Sequence, residues 1–310
     1  MNQDKRVRVA VLGAGAVGCY YGGMLARAGH PVVLIGRPLH VEAIRENGLR
    51  FEAQRFDERV RVDASTEPAA VRGAGLVLVC VKSTDSDAAA AQIAPHLERS
   101  ALVVNLQNGV DNAERIRSKL SQPVVPAVVY VATEMAGPGH LRHHGRGDLV
   151  IGALDRATPE SVLSTIKDWF ERAEVSVAIS DNIAGELWAK LVVNCAYNAI
   201  SAITQLPYGE MIKGSGVRET MRAVVDETLA VAKASGVAMP ADMLAKTYRI
   251  AEAMPTQYSS TAQDLARGKP TEIDHLNGFV VRRGETLGIA TPANRALYAL
   301  VKLKENSHHT

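Results

Sequence analysis

Four polar side chains recur at every fourth position of one apolar stretch, "ELWAKLVVNCAYNAISA". At this spacing Glu186, Lys190, Asn194 and Asn198 share one face of a helix. Asparagine is a poor helix former and a buried amide needs partners, so two of them among apolar residues call for a reason. One interpretation is a lysine and two amides that line a pocket for a small polar substrate. The other is a Glu–Lys surface pair followed by amides that cap the core.

A second polar segment, "YSSTAQDLARGKPTEIDHLNG", surrounds a Gly-Lys-Pro break. Its polar candidates are Ser259, Ser260, Gln263, Asp264, Glu272, Asp274 and Asn277. We expect Pro270 in the first turn of the following helix, with Thr271 and Glu272 at a terminus that favours carboxylates. Glu272 would then either match the helix dipole or accept a hydrogen bond from a substrate hydroxyl.

The N-terminal stretch "VAVLGAGAVGCYYGGMLARAGH" places Gly13, Gly15 and Gly18 between an apolar run and a helical pattern. Glycines at this spacing after a strand let the backbone turn tightly and approach a pyrophosphate closely. The helix that follows points its N–H groups at the phosphates. The context fits, because residues 7–12 predict a buried strand and residues 16–28 a helix that ends at Gly29. The turn therefore predicts a bound dinucleotide.

The end of the second strand distinguishes between the two nicotinamide dinucleotides. "PVVLIGR" ends in Arg37, and no acidic residue follows before Glu42. A guanidinium matches the charge and oxygens of a 2′-phosphate, whereas a carboxylate would bind the ribose hydroxyl and repel the phosphate. The sequence therefore favours NADP(H), with a solvated surface arginine as the alternative.

Lys82, Gln107 and Asn108 follow two further apolar runs, in "VCVKSTD" and "NLQNGVD". Ligands of open α/β sheets bind at the carboxyl ends of the strands, where these residues are expected. Asn108-Gly109 is also a common turn dipeptide, so the second motif equally suits a plain turn.

The overall composition is that of an ordinary globular chain. Its 310 residues are 47% hydrophobic and 22% charged, with a formal net charge of +2, which gives no reason to expect nucleic acid as a partner. No signal-like start or membrane-length apolar run is present. Cys19, Cys80 and Cys195 are too scattered for a disulfide framework or a zinc site, so we expect no metal and a cytoplasmic location.

Short runs rich in Val, Leu and Ile alternate with helical patterns through the first half, which predicts an α/β fold with a doubly wound parallel sheet. "HLRHHGRGDLVIGAL" suits an antiparallel addition, and "VSVAIS" predicts one more strand near residue 180. Helical patterns alone follow. We therefore predict a nucleotide-binding domain over residues 1–180 and an all-helical domain over residues 181–310, whose apolar helix faces are compatible with a homodimer.

Six motifs, in this order, resemble those of the ketopantoate reductase (2-dehydropantoate 2-reductase) family. They are "GAGAVG", "LIGR", the "VK" that ends at Lys82, "LQNG", "ELWAKLVVNCAYN" and "SSTAQDLARGKPTEIDHLNG". The likeness covers nearly the whole chain, and six motifs in order are far more specific than any one. It implies a Rossmann-type domain followed by a helical domain resembling that of 6-phosphogluconate dehydrogenases.

The resemblance also implies roles for individual residues. Lys190 would be the general acid and Glu272 would orient the substrate. The implied substrate-binding residues are Asn108, Asn194, Asn198, Ser260 and Glu272. The implied NADPH-binding residues are Gly13, Ala14, Gly15, Ala16, Val17, Gly18, Arg37, Lys82 and Asn108. Hydride transfer to a ketone leaves negative charge on its oxygen, which an ammonium stabilises and protonates.

The implied reaction is the NADPH-dependent reduction of 2-dehydropantoate to (R)-pantoate, a step toward pantothenate and coenzyme A. Three departures from the family pattern bear on the substrate: Thr261 replaces a common methionine, Ala199 a frequent proline, and Tyr208 lies in a loop that often carries other polar residues. They leave open a paralogue that reduces another branched 2-keto acid. A non-catalytic NADPH-sensing protein is the third reading, although a sensor has no chemical need for the whole polar set.

Overall fold

The computed structural model describes residues 6–155 and 158–307. The chain divides into two compact units, the first ending at Ile183 and the second beginning at Ala184. The division lies at the start of a 22-residue helix, the longest among the described residues, and the apolar strand runs end before it.

Ten strands form the sheet of the first unit, counted over the described residues. They are β1 (Val9–Leu12), β2 (Val32–Ile35), β3 (Leu49–Ala53), β4 (Phe56–Val60), β5 (Asp63–Ser65), β6 (Leu76–Val79), β7 (Leu102–Asn105), β8 (Val124–Gly137), β9 (His140–Ile151) and β10 (Val177–Ile179). Their order is β4-β3-β9-β8-β7-β6-β1-β2-β5, and β10 pairs with β9.

The centre of this sheet is parallel. β1 pairs in parallel with β2 and β6, so that Leu12 lies opposite Ile35 on one side and Val79 on the other. β7 continues the parallel order beside β6. The carboxyl ends of these strands therefore meet at one edge of the sheet, where open α/β proteins bind their ligands.

Helices connect these strands and cover the sheet. They are α1 (Ala16–Arg27), α2 (Pro38–Asn47), α3 (Ser86–Ile93), α4 (Asn112–Arg117) and α5 (Glu160–Arg172). Both faces are buried: Val9 and Val11 of β1 belong to one apolar core cluster, and the alternating Ala10 and Leu12 to another. A strand covered on both sides must be apolar throughout, which explains the continuous Val/Leu/Ile runs.

The sequence prediction of a doubly wound sheet followed by helices is confirmed. β9 runs antiparallel to β8, and β10 forms the additional strand near residue 180. The sequence analysis missed β3, β4 and β5. The reason is visible in "FDERV" of β4, whose three central residues are charged and exposed, so that this strand lacks the apolar run of a buried one.

The second unit contains helices and no strand among its described residues. Its helices are α6 (Ile183–Thr204), which begins at the last residue of the first unit, α7 (Tyr208–Met211), α8 (Val217–Ala234), α9 (Met243–Ala253), α10 (Ser260–Ala266), α11 (Asn277–Leu287) and α12 (Pro292–Ser307). Within the described part of the chain, no helix combines the length and the apolar character needed to span a membrane.

Buried polar contacts join the helices of this second unit. Tyr197 of α6 is fully buried, and its hydroxyl donates to the carbonyl oxygen of Thr247 on α9 at 2.8 Å. Burial raises the pKa of Tyr197 to about 12, so the phenol stays protonated as a donor at neutral pH.

Candidate active site

The glycine-rich turn is shaped by close contacts on two of its three glycines. Gly13 has a φ of +112°, and a Cβ there would lie 2.6 Å from the backbone carbon of Cys80. A Cβ on Gly18 would overlap the carbonyl oxygen of Gly13 and lie 2.8 Å from Cγ1 of Val11. Gly13 thus allows the turn to pass the end of β6, and Gly18 allows α1 to pack against β1.

Gly15 differs from these two glycines, because a Cβ there would meet no atom within 4 Å. It is the N-cap residue of α1, in an extended conformation and without a side-chain cap. The first N–H groups of a helix have no intrahelical acceptor and carry partial positive charge. An open space at this point is suited to the pyrophosphate of a dinucleotide, so the residues present fit such a cofactor.

Arg37 lies two residues beyond β2 and is exposed. It is the extended N-cap residue of α2, which begins at Pro38 as helices often do. The preceding Gly36 is close to the glycine-rich turn, since its added Cβ would lie 2.6 Å from Cβ of Ala14. The arginine therefore follows directly on the residue that touches the predicted dinucleotide turn.

Lys82 and Asn108 lie on neighbouring loops at the same edge of the sheet. Lys82 precedes a single 3₁₀ turn, Ser83–Asp85, after β6, and Asn108 follows β7. Both are half-buried. The backbone carbonyl of Asn108 accepts a hydrogen bond from the Ser83 hydroxyl at 3.1 Å, which ties the two loops together.

The polar residues of the "ELWAKLVVNCAYN" motif lie on the single helix α6, as their spacing predicts. Glu186, Lys190 and Asn194 are half-buried, whereas Asn198 is 3% exposed. Asn198 lies next to the second polar segment, because its amide nitrogen is 3.5 Å from the Ser260 hydroxyl. The structure thus brings together two of the predicted substrate residues within the second unit.

Ser259 supports this contact through two buried hydrogen bonds. Its hydroxyl donates to the carbonyl oxygen of Asn198 at 3.2 Å and accepts from the N–H of Ala262 at 3.0 Å, which caps α10. Ser259 is 1% exposed, while Ser260 is exposed. Of the two adjacent serines, the buried one holds the helix and the exposed one is available to a ligand.

The prediction that Pro270 opens a helix is wrong. A 3₁₀ turn begins at Ile273 and α11 begins only at Asn277. The backbone N–H and the hydroxyl of Thr271 both donate to Oε1 of Glu305 on α12, at 2.8 and 2.6 Å, and this contact holds the segment out of a helix. Glu272 is therefore the half-buried N-cap residue of a short 3₁₀ turn rather than a first-turn helical residue.

Glu305 belongs to an ionic cluster on α12 that also contacts the segment at Asp274. Lys302 contacts Asp274 at 3.0 Å and Glu305 at 2.7 Å. Burial acts to raise the pKa of the Glu305 carboxyl, but hydrogen bonds from Lys302 and Thr271 outweigh it and lower the pKa. The pKa of Asp274 is likewise lowered against burial by hydrogen bonds from Tyr298 and Lys302. Both carboxylates are therefore charged at neutral pH and anchor the segment.

The seven polar candidates of the second segment fall into different roles. Asp274 is engaged with Lys302 and Tyr298, and Asn277 is fully buried, donating to the carbonyl of Cys195 and to Asn294. The Gln263 amide donates to the carbonyl of Tyr258 at 3.4 Å. Ser260, which lies beside Asn198, and Glu272 are the two residues of this segment to which the resemblance assigns ligand binding.

Sequence reasoning missed the residues that hold these candidates in place. They are Ser83 and Asn112 in the first unit, and Thr271 and Glu305 in the second. Thr271 and Glu305 are 34 positions apart, and no local pattern indicates such a pair. The described residues contain no group of three or more His, Cys, Asp or Glu side chains that could hold a metal ion.

Models of one family match most of each unit. The model described as "Ketopantoate reductase PanE/ApbA" matches residues 9–156, and its C-terminal counterpart matches residues 182–305. The chain belongs to the ketopantoate reductase family. A 2-dehydropantoate 2-reductase from Pyrococcus horikoshii is 32% identical over 302 residues, which are 97% of this chain and 98% of that relative.

Solved structures agree with this membership. A ketopantoate reductase of the same family from Ralstonia eutropha JMP134 is 61% identical, with a TM-score of 0.94 over 98% of this chain and 100% of that one. A ternary structure of D-mandelate dehydrogenase with NADH and anilino(oxo)acetate is 25% identical, with a TM-score of 0.92 over 98% of this chain and 100% of that one. The ketopantoate reductase fold therefore occurs in proteins that are named for different substrates.

Proposed function

We propose that this chain is a 2-dehydropantoate 2-reductase, which uses NADPH to reduce 2-dehydropantoate to (R)-pantoate. The family membership and the names of its relatives support the reaction. The observation that carries the proposal is the polar face of α6, where Lys190, Asn194 and Asn198 follow one another, with Ser260 beside Asn198.

We assign the cofactor to the first unit. Gly13, Gly15 and Gly18 form the turn around the pyrophosphate, with Ala14, Ala16 and Val17 in the same turn. Arg37 pairs with the 2′-phosphate, and Lys82 and Asn108 provide a cation and an amide at the strand ends. The open space at Gly15 supports this assignment. When bound, NADPH supplies the hydride that reduces the ketone carbon.

Lys190 serves as the general acid. Its ammonium stabilises the negative charge on the ketone oxygen and donates the proton that completes the alcohol. Lys190 is half-buried on α6. Since the role requires a protonated amine, complete burial would work against it by lowering the pKa of the lysine.

The remaining residues orient the substrate. Asn194, Asn198 and Ser260 supply amide and hydroxyl donors for its carboxylate, and Glu272 accepts a hydrogen bond from its hydroxyl. Contacts to Glu305 and to Cys195 brace the segment that carries Glu272 on both sides. A braced carboxylate can fix one orientation of the substrate and therefore one face of its ketone.

The test is NADPH oxidation by the purified chain with 2-dehydropantoate, beside a panel of branched and aromatic 2-keto acids. We expect a clear preference for 2-dehydropantoate. Lys190→Met should reduce kcat by about a hundredfold or more and leave the Kd of NADPH within about twofold. Lys167→Met is the matched control, because Lys167 forms an exposed helical pair with Glu171. Undiminished kcat in Lys190→Met would refute the role of this lysine.

A second candidate is the reduction of another 2-keto acid. The similarity to D-mandelate dehydrogenase, at a TM-score of 0.92, favours including aromatic 2-keto acids in the panel. A higher kcat/KM with one of them than with 2-dehydropantoate would establish this function instead. Tight NADPH binding without turnover of any 2-keto acid would indicate a sensor.

We further propose a cytoplasmic homodimer. Cys19, Cys80 and Cys195 are all free thiols, which suits a reducing compartment. Leu300 and Leu303 of α12 are 48% and 66% exposed and lie three positions apart on one helix face, which supports self-association. Light scattering coupled to size-exclusion chromatography tests the dimer, and a mass of one chain would refute it.

A further inference from the structure

The loops that carry Lys82 and Asn108 are joined by buried side chains whose role the proposed reaction does not assign. Ser83 and Ser86 follow β6, and Asn112 begins α4 beyond β7. Ser83 and Ser86 are 0% exposed and Asn112 is 1% exposed. Because buried polar groups are costly unless they are paired, such a cluster is retained only where its hydrogen bonds are made.

Asn112 lies at the centre of this cluster. Its amide nitrogen donates to the carbonyl oxygen of Asn108 at 2.6 Å and to the Ser83 hydroxyl at 2.9 Å. Its amide oxygen accepts from the Ser86 hydroxyl at 2.8 Å and from Arg115 at 3.1 Å. One side chain therefore contacts the loop after β6, the loop after β7 and its own helix.

The contacts of two further residues, Arg115 and Gln107, hold the junction in place. Arg115 donates to the carbonyl of Ser83 at 3.0 Å and pairs with Asp87 of α3. Gln107 donates to the carbonyl of Val81 and to the Ser86 hydroxyl, both at 2.8 Å. Asn108 and Lys82 are each flanked by these anchored residues, so neither loop can shift without breaking several buried hydrogen bonds.

We propose that Asn112 is a positioning residue, which sets the placement of Asn108 and Lys82 through the Asn108 carbonyl and the Ser83 hydroxyl. This inference rests on the proposed function, in which those two residues contact NADPH. Asn112 itself is buried and acts through its neighbours. A fixed spacing of these groups matters because small displacements in a site that positions reactants reduce the rate strongly.

A double-mutant cycle separates positioning from general stability. We expect Asn112→Ala to lower kcat/KM for NADPH at least tenfold in the otherwise wild-type chain. In a chain that already carries Asn108→Ala, the same substitution should lower it less than threefold, since only the placement of Lys82 is then left for Asn112 to set. A residue that only stabilises the fold would give equal factors in both chains, and equal factors would overturn the proposal.

Two further variants keep the cycle interpretable. Ser83→Ala removes only the hydroxyl that lies between Asn112 and Asn108. Its effect on kcat/KM should also depend on whether Asn108 is present, but should be smaller than that of Asn112→Ala. It therefore replaces Asn112→Ala if that variant does not fold. Ser118→Ala is the matched control on the exposed end of the same helix, where the hydroxyl donates to the carbonyl of Arg115 at 2.7 Å. It should leave kcat/KM within twofold.

The outcomes also distinguish this inference from the proposed function. If the wild-type chain turns over no 2-keto acid, the proposed function fails, and the Kd of NADPH serves as the readout of the same cycle. If Asn108→Ala alone changes neither kcat/KM nor the Kd, Asn108 has no role for Asn112 to support, and the inference is wrong. If Asn108→Ala matters but the two changes are additive, only the inference fails.

Discussion

Alanine at two glycines of the nucleotide turn should separate folding from cofactor binding. Gly15→Ala places its methyl group in open space, whereas Gly18→Ala drives it into the carbonyl oxygen of Gly13. Both substitutions add the same single carbon, only three positions apart. Any difference between them therefore reports the surroundings of each glycine.

The expected magnitudes follow from those surroundings. Overpacking costs about 1–3 kcal/mol, and Gly18→Ala belongs at the upper end because the overlapped atom is backbone and has no alternative rotamer. A loss of about 3 kcal/mol lowers the Tm of a domain of this size by roughly 6–12 °C. Gly15 is extended at φ −87° and ψ −171°, which alanine adopts readily. Alanine is less favourable than glycine as an N-cap residue, but it also lowers the conformational entropy of the unfolded chain. These two effects oppose each other, so the free energy of unfolding should change by less than about 0.5 kcal/mol.

Among the folded variants, Gly15→Ala should weaken NADPH binding more than Gly18→Ala does. The methyl group of Gly15→Ala occupies the space assigned to the pyrophosphate, so the Kd of NADPH should rise at least tenfold, or about 1.4 kcal/mol. Thermal unfolding by circular dichroism without cofactor measures the first effect, and NADPH fluorescence titration the second. If Gly15→Ala binds NADPH as tightly as the wild type, the pyrophosphate does not lie at this turn and the cofactor assignment is wrong.

Two other predictions address cofactor choice and pH. Arg37→Asp should weaken NADPH far more than NADH in paired titrations, because it replaces a match for the 2′-phosphate by a like charge; equal losses would show that Arg37 is a surface residue. Since folding lowers the pKa of Glu305, its stabilisation is fully present above the ordinary glutamate value of about 4.3 and is lost as the pH falls through the lowered value. Glu305→Gln should therefore have a lower Tm than the wild type at pH 7. Its Tm should also fall by less than that of the wild type between pH 5 and about pH 3. If the two plots of Tm against pH run parallel, Glu305 does not contribute this pH dependence.

The elements that the sequence predicts well are those whose pattern is decided locally or by burial on both faces. The strand β6, "LVLV", is buried at every position and has to be apolar. The spacing of Lys190, Asn194 and Asn198 can be resolved because one uninterrupted helix of 22 residues carries them all. The strand β4 escaped prediction because only its pairing with β3, not its composition, makes it a strand.

The same distinction explains the error at Pro270. Proline before Thr-Glu is a sound local signal for a helix start, yet the Thr271–Glu305 contact overrides it from 34 positions away. The error affects the interpretation of Glu272. This residue does not lie in the first turn of an α-helix; it precedes a 3₁₀ turn, and the residues on either side of it contact α12 and α6. The interpretation of Glu272 as a substrate ligand stays a prediction, which Glu272→Ala would test through the KM of the substrate.

Residues at the ends of parallel strands can thus be placed from the sequence more readily than the residues that hold their loops. Gly13 and Lys82 follow apolar runs, and parallel pairing of β1 with β6 brings those run ends to one edge whatever the intervening sequence. Asn112 has no such signal: its contacts to Ser83 and Ser86 span 29 and 26 positions and depend on how two loops fold against each other. Substitutions in such a buried cluster should change the rate of a reductase without altering any group that touches its substrate. Activity differences among members of one fold can therefore arise in residues that a comparison of ligand-contacting positions alone would overlook.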